Sequence, residues 1–109
     1  MIRCFLFLLA WTPLIAMSAS PELKLGDRIP ALSLPDQDGN PLDLAAYGAE
    51  GYLLVFFYPK ANTPGCTAQA CSLRDAEAQL KERGVKILGI SADKPDSQKI
   101  FVAKQNLPY

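Results

Sequence analysis

Residues 52–91 read YLLVFFYPKANTPGCTAQACSLRDAEAQLKERGVKILGIS. Tyr52 to Tyr58 is a continuous apolar run, rich in aromatics and bounded by Gly51 and Pro59, the pattern of a strand buried on both faces of a sheet. From Pro64 to Arg83 the period changes. Ala70, Leu73, Ala76 and Leu80 recur every three or four residues while Arg74, Asp75, Gln79 and Glu82 cover the other side, which predicts an amphipathic helix that Gly84 stops. Val85 to Ser91 is a second buried-strand pattern. Strand, helix and strand in this order predict two parallel strands joined by a right-handed crossover, and therefore an α/β sheet.

On the N-terminal side, Leu32, Leu34, Leu42 and Leu44 alternate around the turn-rich stretch Pro35 to Pro41, whose Asp38-Gly39 step tolerates positive φ. This predicts a hairpin with two short strands. On the C-terminal side, Pro95 opens a second helix with Asp96 in its first turn and Ile100, Phe101, Ala103 and Leu107 for its buried face. That helix should hand over to a further strand, and only Tyr109 follows Pro108, so the expected sheet is short of strands at its C-terminal end.

Half of the 109 residues are hydrophobic, but the excess is local: 15 of the first 20 are hydrophobic, against 39 of the other 89, an ordinary globular proportion. Arg3, the apolar stretch from Cys4 to Ala16 and the small residues Ala16 and Ser18 have the layout of a secretory signal peptide over residues 1–18, cleaved after Ser18. The run is shorter than the ~20 residues of a membrane-spanning helix and Pro13 interrupts it, so no stable span is expected. The remaining 19–109 form one small domain, placed in the periplasm or secreted; an uncleaved, membrane-anchoring signal is the alternative. Eleven basic and eleven acidic side chains give zero formal net charge, which speaks against nucleic acid as a partner. The absence of His removes His-based acid–base catalysis, and two cysteines without His make a poor zinc site, so no metal or cofactor is expected.

The chemistry concentrates in Tyr58 to Cys71. With Thr63 as cap and Pro64 as first helical residue, Cys66 falls in the first turn, where unpaired N–H groups and the helix dipole favour an anion. Such placement can lower a cysteine pKa from ~8.5 towards 7 or below and make the thiol reactive. The loop also leaves the C-terminal end of the central strand, where ligand sites of open α/β sheets lie. Thr63 either only caps the helix or also holds a substrate. Cys71 follows five residues later. In one continuous helix the two cysteines are separated by about 7.5 Å of rise and about 140° of rotation. A disulfide needs Cα atoms within about 6.8 Å, so the pair can join only if the first turns unwind. Two inert thiols are the alternative, and a thioredoxin-type exchange centre would have two intervening residues where this chain has four.

Pro59, Thr63 and Cys66 satisfy the pattern Pro-x-x-x-Thr-x-x-Cys, and in this run, FYPKANTPGCTAQACSLRD, the chain resembles the peroxiredoxins of the bacterioferritin-comigratory-protein or PrxQ-like subfamily. The likeness extends from about Leu23 to Leu107. It implies a thioredoxin-like fold with an N-terminal hairpin, central parallel strands and flanking helices. It also implies a thiol peroxidase in which Cys66 attacks hydrogen peroxide or an alkyl hydroperoxide. Thr63 would hydrogen-bond the peroxide, Pro59 would shield the sulfenic acid and Cys71 would resolve it. The disulfide would be recycled by thioredoxin or a similar dithiol protein, and the enzyme is expected to be a monomer. The arginine that peroxiredoxins carry on a later strand has no counterpart before Tyr109. Arg74, about 12 Å of helical rise beyond Cys66, reads as a surface or ion-pairing residue rather than a substitute, and Lys60 as solvated. A general thiol–disulfide oxidoreductase and a non-catalytic redox-sensing module remain as other readings of the same cysteines.

Overall fold

The computed structural model describes residues 22–109. The signal-peptide reading of residues 1–18 lies outside them. Two short strands, β1 (Ser33–Pro35) and β2 (Pro41–Asp43), form the expected antiparallel hairpin, with Leu34 opposite Leu42. Its turn is held by Asp36, whose carboxylate accepts the N–H groups of Asp38 (2.9 Å) and Asn40 (2.8 Å), an Asx-type turn that local Asp chemistry favours. Leu44 does not extend the second strand. It opens a four-residue helix, α1 (Leu44–Tyr47), because Asp43 caps the Ala46 N–H at 2.9 Å.

The strands β3 (Tyr52–Phe57) and β4 (Val85–Ile90) pair in parallel across the whole of their lengths, Tyr52 opposite Val85 and Phe57 opposite Ile90. Helix α2 (Pro64–Glu82) connects them and helix α3 (Pro95–Gln105) follows β4. The βαβα order read from the sequence is thus present, with the main boundaries within a residue or two of expectation.

One face of the β3–β4 pair carries the core. Phe56 and Ile87 from the strands, Cys66 and Ala70 from α2 and Phe101 from α3 form a single buried cluster, with Tyr58 directly after β3 and Ala61 from the loop that follows. Phe101 is 1% exposed, and burying such a ring contributes about 1.5–3 kcal/mol. Gly89 makes room for the aromatics: a Cβ there would stand 2.8 Å from the Phe56 ring and 3.2 Å from that of Tyr58.

Two expectations fail here. First, β3 is not buried on both faces: on the side away from the helices Leu53 and Val55 are half-buried and Phe57 is 73% exposed. These side chains line an apolar groove of about 520 Å³ with Leu34, Leu44 and Ile90. Both α2 and α3 add to the same cluster on the opposite face. Second, the inward side of α3 is Gln98, Phe101, Val102 and Gln105, while Ile100 is 61% exposed and Ala103 is exposed too. The 98, 101, 102, 105 spacing is a helical stripe that includes two glutamines, so apolarity alone misplaced the face. Among the described residues, no helix is long and apolar enough to cross a membrane.

Candidate active site

The loop between β3 and α2 begins where the pairing ends. Tyr58 N–H still donates to the Ile90 carbonyl at 3.1 Å, after which Pro59 and Lys60 turn outward, both exposed. Ala61 turns back into the core, and its N–H donates to the Asp93 carboxylate at 2.7 Å. Asp93 lies beyond the end of β4, where the Ser91 hydroxyl also donates to it at 2.9 Å and Gln98 of α3 donates to Ser91 at 3.0 Å. Asp93 therefore ties the two loops at the C-terminal ends of the strands together. Asn62 completes the turn at φ 60°, a left-handed conformation that Asn tolerates better than most residues.

Thr63 occupies the N-cap position as expected, but its hydroxyl makes no capping bond. It donates instead to the Lys60 carbonyl at 2.9 Å. The first intrahelical bond runs from the Thr67 N–H to the Thr63 carbonyl, at 2.9 Å. The Gly65 and Cys66 N–H groups precede it, at the end of the helix where the dipole favours an anion. Cys66 itself is 7% exposed, within the cluster that holds Tyr58, Ala61 and Ala70. The Tyr58 hydroxyl is pushed above its ordinary pKa, chiefly by burial and further by the charges of Asp93 and Cys66 nearby; Ser91 acts the other way.

Cys71 has different surroundings. Both cysteines are unbridged, and Cys71 is half-buried. Its thiol donates to Oε1 of Gln105 on α3 at 3.6 Å, a usual length for the larger sulfur atom. One turn on, the Arg74 guanidinium donates to the Gln105 carbonyl at 2.8 Å and pairs with Asp75 at 2.9 Å, the ion-pairing role expected for it. The Tyr109 hydroxyl donates to the Ala70 carbonyl at 2.7 Å. Burial, with the Cys71 and Tyr58 charges adding to it, pushes Tyr109 up to about 12. Because α2 is continuous from Pro64 to Glu82, the i, i+5 pair stands about 8.6 Å apart between Cα atoms on ideal helix geometry, outside disulfide range.

The structure thus gathers Pro59, Thr63 and Cys66 at one end of the sheet and sets Cys71 further along the helix. The sequence reading overlooked Asp93, Gln105 and Tyr109. The Ser91-Ala92-Asp93 run, polar and directly after a buried strand, was the available signal for the first; nothing local distinguishes the other two. Among the described residues, no group of three or more Cys, Asp or Glu side chains is arranged to hold a metal ion.

The profile of the AhpC/TSA family matches residues 25–109. This chain belongs to the AhpC/TSA family. Peroxiredoxin Bcp of Escherichia coli K12 is 52% identical over 87 residues, which cover 80% of this chain and 55% of that protein. Peroxiredoxin bcp1 of Schizosaccharomyces pombe is 42% identical over 92 residues, 84% of this chain and 47% of the yeast protein. The crystal structure of peroxidoxin BcpB from Mycobacterium tuberculosis superposes with a TM-score of 0.76 at 38% identity, covering 81% of this chain and 57% of that one. The chain therefore has a thioredoxin-like α/β fold, and it spans about half the length of the curated relatives it matches.

Proposed function

We propose that this protein is a thiol-dependent peroxidase of the peroxiredoxin type, acting on hydrogen peroxide and alkyl hydroperoxides. The observation that carries the reading is the buried Cys66 in the first turn of α2, at the C-terminal end of β3, beside two N–H groups that precede the first intrahelical bond. The Cys66 thiolate attacks one peroxide oxygen. An S–O bond forms, the O–O bond breaks, and the other oxygen leaves with a proton as water or alcohol, so that sulfur is oxidised by two electrons and the peroxide reduced by two. The Thr63 O–H is engaged with Lys60, which leaves its oxygen lone pairs to accept the hydroperoxide hydrogen and orient the substrate. Pro59, which has no N–H, forms the exposed rim of the site. Cys71 then attacks the sulfenic sulfur: the S–S bond forms and water leaves. Thioredoxin or a comparable dithiol protein reduces the disulfide by exchange.

The kindred names of the relatives and the match to Pro-x-x-x-Thr-x-x-Cys support this reading over that of a general disulfide oxidoreductase. The apolar N-terminal stretch supports export, which N-terminal sequencing of the mature protein checks: a first residue near Ala19 agrees with export and an intact Met1 opposes it. The activity is tested in an assay that couples thioredoxin and its reductase to NADPH loss. NADPH should be consumed only when hydrogen peroxide or tert-butyl hydroperoxide is added; consumption without peroxide, or none with it, would reject the peroxidase reading.

A further inference from the structure

The second step of the proposed chemistry requires Cys71 to leave its place. In any route to a disulfide its sulfur must give up the bond to Gln105, and the helix between residues 66 and 71 must open. Three hydrogen bonds oppose that movement, and all come from two residues, one at the end of α3 and one in the segment after it. Gln105 accepts the Cys71 thiol proton through its side chain and takes the Arg74 guanidinium on its carbonyl. Tyr109 donates to the carbonyl of Ala70, a residue with no exposed surface that lies directly before Cys71. The Tyr109 ring is also fixed, standing edge-on to Phe56 with centroids 5.9 Å apart. Its hydroxyl remains protonated, and therefore a donor, throughout the neutral range.

From this arrangement we infer that Gln105 and Tyr109 are positioning residues that hold the Ala70–Arg74 turn closed and so set the rate at which Cys71 reaches the oxidised Cys66. The inference rests on the peroxidase reading above. In the step concerned, Cys71 loses its proton and attacks the Cys66 sulfenic sulfur; the S–S bond forms, the S–O bond breaks and the departing hydroxide takes up the proton as water. While the turn stays closed, the sulfenic acid is exposed to a second peroxide, which oxidises it to sulfinic acid. The grip on Cys71 thus sets how much peroxide the protein tolerates before it is lost to over-oxidation.

The test uses Tyr109→Phe, which keeps the ring and removes only the hydroxyl, and Gln105→Met, which keeps the length of the side chain and removes the acceptor. One net hydrogen bond corresponds to about fivefold in an opening equilibrium. Disulfide formation, followed by rapid quenching, alkylation and mass spectrometry, should accelerate by about that factor in either variant. The peroxide concentration that half-converts Cys66 to sulfinic acid should rise in parallel. Amide hydrogen exchange over residues 66–71 should quicken in the reduced variants while that of β4 does not, which a general loosening of the fold would not reproduce. The first oxidation, trapped with dimedone, should proceed at the unmodified rate. Disulfide formation no faster than in the unmodified protein, with the first oxidation intact, overturns the inference. Failure of dimedone to label Cys66 in the unmodified protein and in Cys71→Ser overturns the peroxidase reading instead.

Discussion

Two turns of one helix place two cysteines five residues apart in unlike surroundings. At the first turn of α2, Cys66 is buried among apolar and aromatic groups, beside N–H groups ahead of the first helical bond, on a loop that Asp93 fastens to the end of β4. At the turn around Cys71, the thiol is bound by Gln105 and the backbone beside it by Tyr109. The residue type is the same and the element is the same. What differs is what the rest of the chain brings to each position, and under the proposed peroxidase function this divides the labour: one sulfur attacks the substrate, the other is held back until the helix opens.

Removing each sulfur in turn is the strongest way to break this contrast. Cys66→Ser should lower peroxide consumption to the buffer background, whereas Cys71→Ser should consume one equivalent to form the sulfenic acid and, with peroxide in excess, a second as Cys66 advances to sulfinic acid, without turning over. Equal effects of the two substitutions, measured by peroxide loss and by mass of the intact protein, would erase the distinction. A smaller effect should come from Asp93→Ala, which leaves the Ala61 N–H without its carboxylate. A charge-assisted hydrogen bond contributes about 1.5–3 kcal/mol. The loop should therefore loosen, the rate of Cys66 oxidation should fall by about tenfold or more, and dimedone labelling of Cys66 in a Cys71→Ser background would record it. An unchanged rate would show that the loop keeps its shape without Asp93.

The smallest effect is on stability in alkali. Tyr58, near Cys66, and Tyr109, near Cys71, both hold their protons longer when folded than the ordinary value of 10, chiefly because they are buried. The unfolded chain therefore loses these protons first as pH rises, and the stability that the neutral rings contribute is full below about pH 10 and drains away towards about 12. The urea midpoint should fall over that window, and Tyr109→Phe should flatten the fall by removing one of the two groups. A midpoint that does not move between about pH 10 and about 12 would argue that neither ring is buried as described.

The sequence revealed the fold where a period or a break carried it. The apolar run of β3, the stripe of α2 and the flanking Pro64 and Gly84 act locally, and so the βαβ unit was legible. The incomplete burial of the second face of β3 was not, because an apolar run shows that a strand can be covered on both faces and says nothing about what covers it. Cys66 was legible through its place after Pro64. The roles of Asp93, Gln105 and Tyr109 depend on contacts that span 31 to 39 residues of chain, and no local pattern encodes them. Thr63 stands between these cases: its position as N-cap followed from the sequence, while its hydroxyl turned to Lys60 rather than to the helix.

The central claim is that Cys66 reacts with peroxide and that α2 must then open for Cys71 to reach it. It is tested most directly by adding one equivalent of hydrogen peroxide to the reduced protein, mapping the disulfides by mass spectrometry and measuring amide exchange across α2. A bridge between Cys66 and Cys71 is expected, together with lost protection over residues 64–71. Two free thiols after the peroxide is spent, or a bridge formed while that stretch keeps its protection, would contradict it.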